Sequence, residues 1–129
     1  MSKIAGILGH AEDTRKYTAE KNKLNELIHR VFYNEENQTY GTGTQIDLAY
    51  PMLAGVTPEP LINTVERQFE QETGSRNGHL STGLVGIPVV TEWAVKNKKV
   101  DLMYSMLKKR DYPGYLYMID NCATTTCEH

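Results

Sequence analysis

Asp13-Thr-Arg-Lys-Tyr-Thr-Ala-Glu-Lys-Asn-Lys-Leu-Asn-Glu-Leu-Ile-His-Arg-Val-Phe32 is the stretch on which the fold class turns. Tyr17, Leu24, Leu27, Ile28, Val31 and Phe32 fall on one face, and lysines and glutamates occupy the other. Apolar residues recurring every three or four positions specify an amphipathic helix rather than a strand. Asp13 is a suitable N-cap at its start.

The same period extends in both directions. Ile4, Ile7 and Leu8 form a short apolar stripe within residues 2–9. Asn34 to Gly43 is polar and glycine-bearing and reads as a loop. Residues 44–54 form a helix with Ile46, Ala49, Met52 and Leu53 inward, kinked or interrupted by Pro51. Thr57-Pro58 starts the next helix. Leu61, Ile62, Val65 and Phe69 are its buried stripe, and Gly74 is its stop. Ser75 to Gly86 is a long glycine-bearing loop. Pro88 opens a helix with Val89, Val90, Trp93 and Ala94. Asp101 caps another, with Leu102, Met103, Met106 and Leu107. Helices in pairs build bundles, solenoids or toroids. No repeat of fixed period is present, which argues against a tandem array.

The chain has 129 residues, the size of one domain. A net charge of −2 leaves no basic footprint and argues against nucleic acid as a partner. No window approaches the roughly 20 apolar residues that span a bilayer, so no membrane partner is expected. The N-terminal apolar run is too short for a secretory signal. No targeting signal is evident in this segment, so the compartment stays open. A bridge between Cys122 and Cys127 would close a very small loop, so reduced thiols are expected.

The chemistry concentrates near the C-terminus. Tyr112-Pro-Gly-Tyr-Leu-Tyr-Met-Ile-Asp-Asn-Cys-Ala-Thr-Thr-Thr-Cys-Glu128 runs from a Tyr-Pro turn through aromatics to a hydroxyl-rich loop and a carboxylate. Glu128 can activate water as a general base, or simply cap a helix. His79, in the glycine-bearing loop, can donate to a sugar hydroxyl or stand solvated. Tyr112, Tyr115 and Tyr117 with Trp93 can form a sugar-stacking platform or belong to a core. Cys122, Cys127 and His129 do not have the spacing of a structural zinc site, and no metal is expected. Gly41-Thr-Gly-Thr-Gln45 is not a dinucleotide fingerprint, since no strand precedes it. Asn37-Gln38-Thr39 fits a glycosylation acceptor.

Several blocks, in order, resemble the catalytic domain of bacterial α-L-rhamnosidases, glycoside hydrolase family 78. They are Tyr40-Gly-Thr-Gly-Thr-Gln45, Gly78-His-Leu-Ser-Thr-Gly83 with Gly86-Ile-Pro88, Asp101-Leu-Met-Tyr104, Tyr112-Pro113, and Tyr117-Met-Ile-Asp-Asn121 through Ala123-Thr-Thr125 to Glu128. The resemblance implies an all-α fold that is part of an (α/α)6 toroid, about three helical hairpins of it. It implies a single segment, 1–129, incomplete at both ends, in a longer glycoside hydrolase that inverts terminal α-L-rhamnosides. The general acid would lie upstream, so the isolated chain is expected to be inactive. Glu128 takes the place of the family's general base. His79, Thr82, Tyr115 and Asn121 are the expected sugar contacts. No cofactor is implied, and the partner is a rhamnose-containing glycoside.

This chain departs from the family pattern in two places. Cys122 stands where glycine is usual, which puts a Cβ where the backbone calls for positive φ. Cys127 stands where tryptophan is usual beside the acid. The alternative is therefore a non-catalytic carbohydrate-binding or scaffold remnant of the fold. An open arc of hairpins also leaves apolar helical faces uncovered, so self-association is expected.

Overall fold

The computed structural model describes residues 1–125. They form seven α-helices: α1 Ser2–Ile7, α2 Ala11–Phe32, α3 Gln45–Ala54, α4 Ile62–Ser75, α5 Gly86–Lys96, α6 Val100–Leu107 and α7 Tyr115–Asp120. A two-residue hairpin, β1 Tyr33–Asn34 with β2 Thr39–Tyr40, interrupts the stretch read as a plain loop. A single 3-10 turn, Glu59–Leu61, leads into α4. None of these helices is long and apolar enough to cross a membrane.

The chain divides into two compact units, Met1–Tyr33 and the remainder from Asn34. In the first, α1 packs on α2 and Ala5 is the buried residue of α1. The long helix starts before the expected cap. His10 is its N-cap, and Glu12 and Asp13 lie in the first turn, where their charge opposes the helix dipole. Its apolar face is open: Leu24, Val31 and Phe32 are each more than half exposed.

In the second unit α3 packs against both α4 and α5, and α5 against α6. Three helical pairs, α1–α2, α3–α4 and α5–α6, therefore follow one another, as the sequence pattern predicts. The core holds Leu48, Ala49, Val65, Phe69, Val90, Trp93, Ala94, Met103 and Met106. Phe69 and Trp93 meet at 4.5 Å between ring centroids, tilted by 44°. Such pairs add about 1 kcal/mol beyond their area.

Helix α3 differs in register from expectation. Gln45, Leu48, Ala49 and Pro51 are buried, whereas Ile46, Met52 and Leu53 are only half-buried. Pro51 does not end the helix, which continues to Ala54 and closes on Gly55 at φ 72°. Its N-terminus carries a reciprocal capping box. The Thr44 hydroxyl accepts from Asp47 N–H, and the Asp47 carboxylate accepts from Thr44 N–H. Asp47 also accepts from the amide and hydroxyl of Thr42, at 3.1 and 2.8 Å. Burial pushes the Asp47 carboxyl up, but these bonds outweigh it and hold the carboxyl below its ordinary value.

Four helices end alike. After α1, α4, α5 and α7 the chain turns left-handed at Gly9 (φ 77°), Asn77 (φ 53°), Lys98 (φ 58°) and Cys122 (φ 62°). In each, the next amide bonds back to the third-last helical carbonyl: His10 to Ala5, Gly78 to Thr73, Lys99 to Ala94 and Ala123 to Met118. This is the Schellman closure, which satisfies carbonyls that the helix leaves open. Gly74, the expected stop of α4, lies inside its last turn, and Asn77 takes the left-handed position instead. Asp101 likewise sits in the first turn of α6, whose N-cap is Lys99.

Candidate functional site

The loop between α4 and α5 is held from below by one buried amide. Gln45 is fully buried at the first position of α3. Its Nε2 donates to the Thr73 hydroxyl at 3.2 Å and to the His79 carbonyl at 2.9 Å. Its Oε1 accepts from the Ser81 amide at 2.9 Å. A glutamine offers both donors and acceptors, so one side chain satisfies groups from α4 and from two places on the loop. Burial without these bonds would be strongly unfavourable.

His79 is 5 % exposed, which overturns the reading of it as a solvated loop histidine. Its Nε2 lies 2.9 Å from Asp111 Oδ2. An ionised carboxylate can only accept, so Nε2 is the donor of this bond, and the bond from His79 holds the Asp111 carboxyl below its ordinary value. His79 Nδ1 is buried and has no hydrogen-bond partner among the described residues. Neither ring nitrogen is thus presented at the surface.

Thr82 is half-buried three residues further on. A Cβ at Gly86 would stand 2.4 Å from Thr82 Cβ, so glycine at the start of α5 is what lets the loop lie this close. The loop after α6 is built with equal tightness. A Cβ on Gly114 would meet the Lys109 carbonyl oxygen at 2.3 Å, and the Leu116 amide donates to that carbonyl at 3.0 Å. The Tyr112-Pro113 peptide bond is cis.

Tyr115 opens α7 and is half-buried, and Asn121 follows its last turn and is exposed. Asn121 Nδ2 donates to the Tyr117 carbonyl at 2.9 Å. Tyr112 and Tyr117 meet edge to face, with centroids 5.6 Å apart. Trp93, grouped with these tyrosines in the sequence reading, is fully buried against Phe69 and belongs to the core. Asp111 joins the two loops that carry the expected sugar contacts, but no hydrogen bond links Thr82, Tyr115 and Asn121 to one another among the described residues. Cys127, Glu128 and His129 lie outside the described residues. Among the described residues no group of three or more His, Cys, Asp or Glu side chains is placed to hold a metal.

Sequence reasoning missed Gln45 as a buried node and missed Asp111 altogether. Gln45 lay in a quoted block, and its place at the end of a glycine-rich turn beside a helix start was a usable signal. Asp111 carried none, because its partner is 32 residues away.

Residues 1–129 match the bacterial alpha-L-rhamnosidase six-hairpin glycosidase domain. The chain belongs to that family. An alpha-L-rhamnosidase from Alteromonas sp. (strain LOR) is 30 % identical over 127 residues, 98 % of this chain and 14 % of the relative. The solved alpha-L-rhamnosidase of Dictyoglumus thermophilum superposes with a TM-score of 0.85 at 25 % identity, covering 96 % of this chain and 14 % of that one. The Streptomyces avermitilis alpha-L-rhamnosidase, solved in complex with L-rhamnose, gives a TM-score of 0.82 at 21 % identity over 93 % of this chain and 11 % of that one. The helices described above are therefore part of the six-hairpin glycosidase fold of the rhamnosidases. The chain spans about one seventh of the length of the relatives it matches. Cys122, expected at a position that calls for positive φ, does sit at φ 62°.

Proposed function

We propose that this chain contributes to hydrolysis of terminal α-L-rhamnosides, as one segment of a longer inverting glycosidase, incomplete at both ends. The observation that carries this reading is the family match along the whole chain, together with the ordered blocks that end on Glu128. In the proposed chemistry Glu128 takes a proton from water, whose oxygen attacks the anomeric carbon. The glycosidic C–O bond breaks on the opposite face, and the leaving oxygen takes a proton from a carboxylic acid elsewhere in the longer protein. Thr82, Tyr115 and Asn121 line the sugar side, with His79 beneath them. The reaction needs no metal or organic cofactor.

The test is hydrolysis of an aryl α-L-rhamnoside by the native gene product and by its Glu128→Gln variant. The proposal expects the variant to lose at least about 100-fold in kcat while remaining folded. A variant that keeps wild-type turnover removes Glu128 from the mechanism. In this reading the general acid comes from elsewhere in the longer protein, and the isolated chain should show no turnover.

A second reading has one specific observation behind it. Cys122 occupies a strained left-handed position just after Asn121, in the loop leading to the candidate base. A decayed, non-catalytic carbohydrate-binding module tolerates such a change more easily than an enzyme does. L-Rhamnose binding by calorimetry without turnover in the native gene product would select it.

A further inference from the structure

We infer that Asp111 is a positioning residue that works through His79 and locks the Thr82 loop to the loop from which Tyr115 departs. This inference deepens the proposed sugar site and rests on it for its functional meaning. The geometric part stands on its own.

Two contacts join the loops side by side. His79 Nε2 donates to Asp111 Oδ2, and at the preceding residue a Cβ on Gly78 (φ 74°) would come within 3.0 Å of Lys109 Cε. Glycine is favoured there by its backbone conformation, and the Lys109 side chain lies against it. Each loop is separately anchored. Gln45 grips the first at His79 and Ser81, and the Lys109 carbonyl grips the start of α7 through Leu116. Thr82 is three residues beyond His79, and Tyr115 is four beyond Asp111. Both candidate sugar contacts therefore lie within four residues of the one side-chain bond that joins the two loops.

The ring's state fits this role. Nε2 is committed to Asp111, and Nδ1 is buried. A histidine so placed holds the frame of a site rather than touching a sugar hydroxyl. The charged groups near the pair on the second loop are Lys109 and Arg110. Arg110 Nη1 is itself bound to Asp120 at 2.7 Å, which leaves Asp111 to His79. A bond between an ionised acceptor and a fixed donor is about twice as strong as a neutral one, and it carries direction. Asp111 is itself 61 % exposed in its side chain, so its replacement should leave the core intact.

The experiment compares the chain with its Asp111→Ala and Asp111→Asn variants by nuclear magnetic resonance. Long-range nitrogen spectra should show His79 as the Nε2–H tautomer in the parent and in Asp111→Asn, whose amide oxygen still accepts. Asp111→Ala should give a mixture of tautomers. Amide exchange in residues 79–83 and 109–116 should rise at least about tenfold in Asp111→Ala and stay near parent values in Asp111→Asn, with α3 to α5 unchanged. L-Rhamnose titration, followed at the Thr82 and Tyr115 amides, should weaken roughly tenfold in Asp111→Ala alone. An unchanged tautomer and unchanged exchange in Asp111→Ala overturn the positioning role, whether or not rhamnose binds. Altered tautomer and exchange in Asp111→Ala, together with a parent that rhamnose does not shift, would leave positioning standing and remove the sugar site.

Discussion

Replacing Cys122 by glycine should stabilise the chain. Cys122 is the left-handed residue of the closure after α7, with its amide bonded to the Ile119 carbonyl at 3.0 Å and the Ala123 amide to the Met118 carbonyl at 2.9 Å. A side chain with a Cβ pays about 1–2 kcal/mol for φ near +60°. Glycine removes that strain but adds freedom to the unfolded chain, which returns about 0.5–1 kcal/mol. Cys122 is exposed, so little packing is lost with the thiol. The net expectation is a gain of about 0.5–1 kcal/mol, or roughly 2–5 °C in melting temperature for a chain of this size. Thermal melting by circular dichroism under reducing conditions measures it. Cys122→Ala is the control, because it removes the sulfur and keeps the Cβ. If alanine stabilises as much as glycine, the thiol and not the backbone is responsible, and the strain argument fails. A destabilised glycine variant refutes it outright.

Other outcomes follow from the same geometry. Gln45→Leu should cost roughly 3 kcal/mol in urea unfolding, because it strands the Thr73 hydroxyl, the His79 carbonyl and the Ser81 amide; a loss under about 1 kcal/mol would mean that these groups find other partners. Asp47→Ala should cost about 1 kcal/mol through loss of the capping box. The folded-state pKa of Asp47 is depressed, so its contribution is fully present above the unfolded value near 4 and fades as pH falls through the folded one. The acid side of the stability profile should therefore be shallower in Asp47→Asn, and an unchanged profile counts against the assignment. Leu24, Leu27, Val31 and Phe32 leave one face of α2 open, and the isolated chain should self-associate through it. Sedimentation should show a mass that rises with concentration and falls in Val31→Lys; a monomer at all concentrations rules this out.

Much of the candidate site could be read only in outline. The blocks around Gly78-His-Leu-Ser-Thr-Gly83 and Tyr112-Pro113 marked where chemistry would gather, and both form tightly held loops. The role of each residue within them was not legible. His79 looked like a solvent-facing donor because it lies in a glycine-bearing loop between helices, yet its ring is buried and bonded to a group 32 residues away. Trp93 looked available to a sugar because aromatics often stack on one, yet Phe69 from another helix covers it.

The sequence by itself determined the helices from α1 to α6, their pairing and their family, while α7 lay in a stretch read only as an aromatic run. An apolar residue every three or four positions acts within one turn, and so does a left-handed closure such as the one expected at Cys122. Local rules of that reach are written in adjacent letters. Only the tertiary structure decided which face of α3 is inward, that Gln45 joins α3, α4 and the Thr82 loop, and that Asp111 takes the His79 proton-bearing nitrogen. Those bonds span 28 to 36 residues. Their partners meet only because α3 packs on both α4 and α5, and no short-range pattern encodes that meeting.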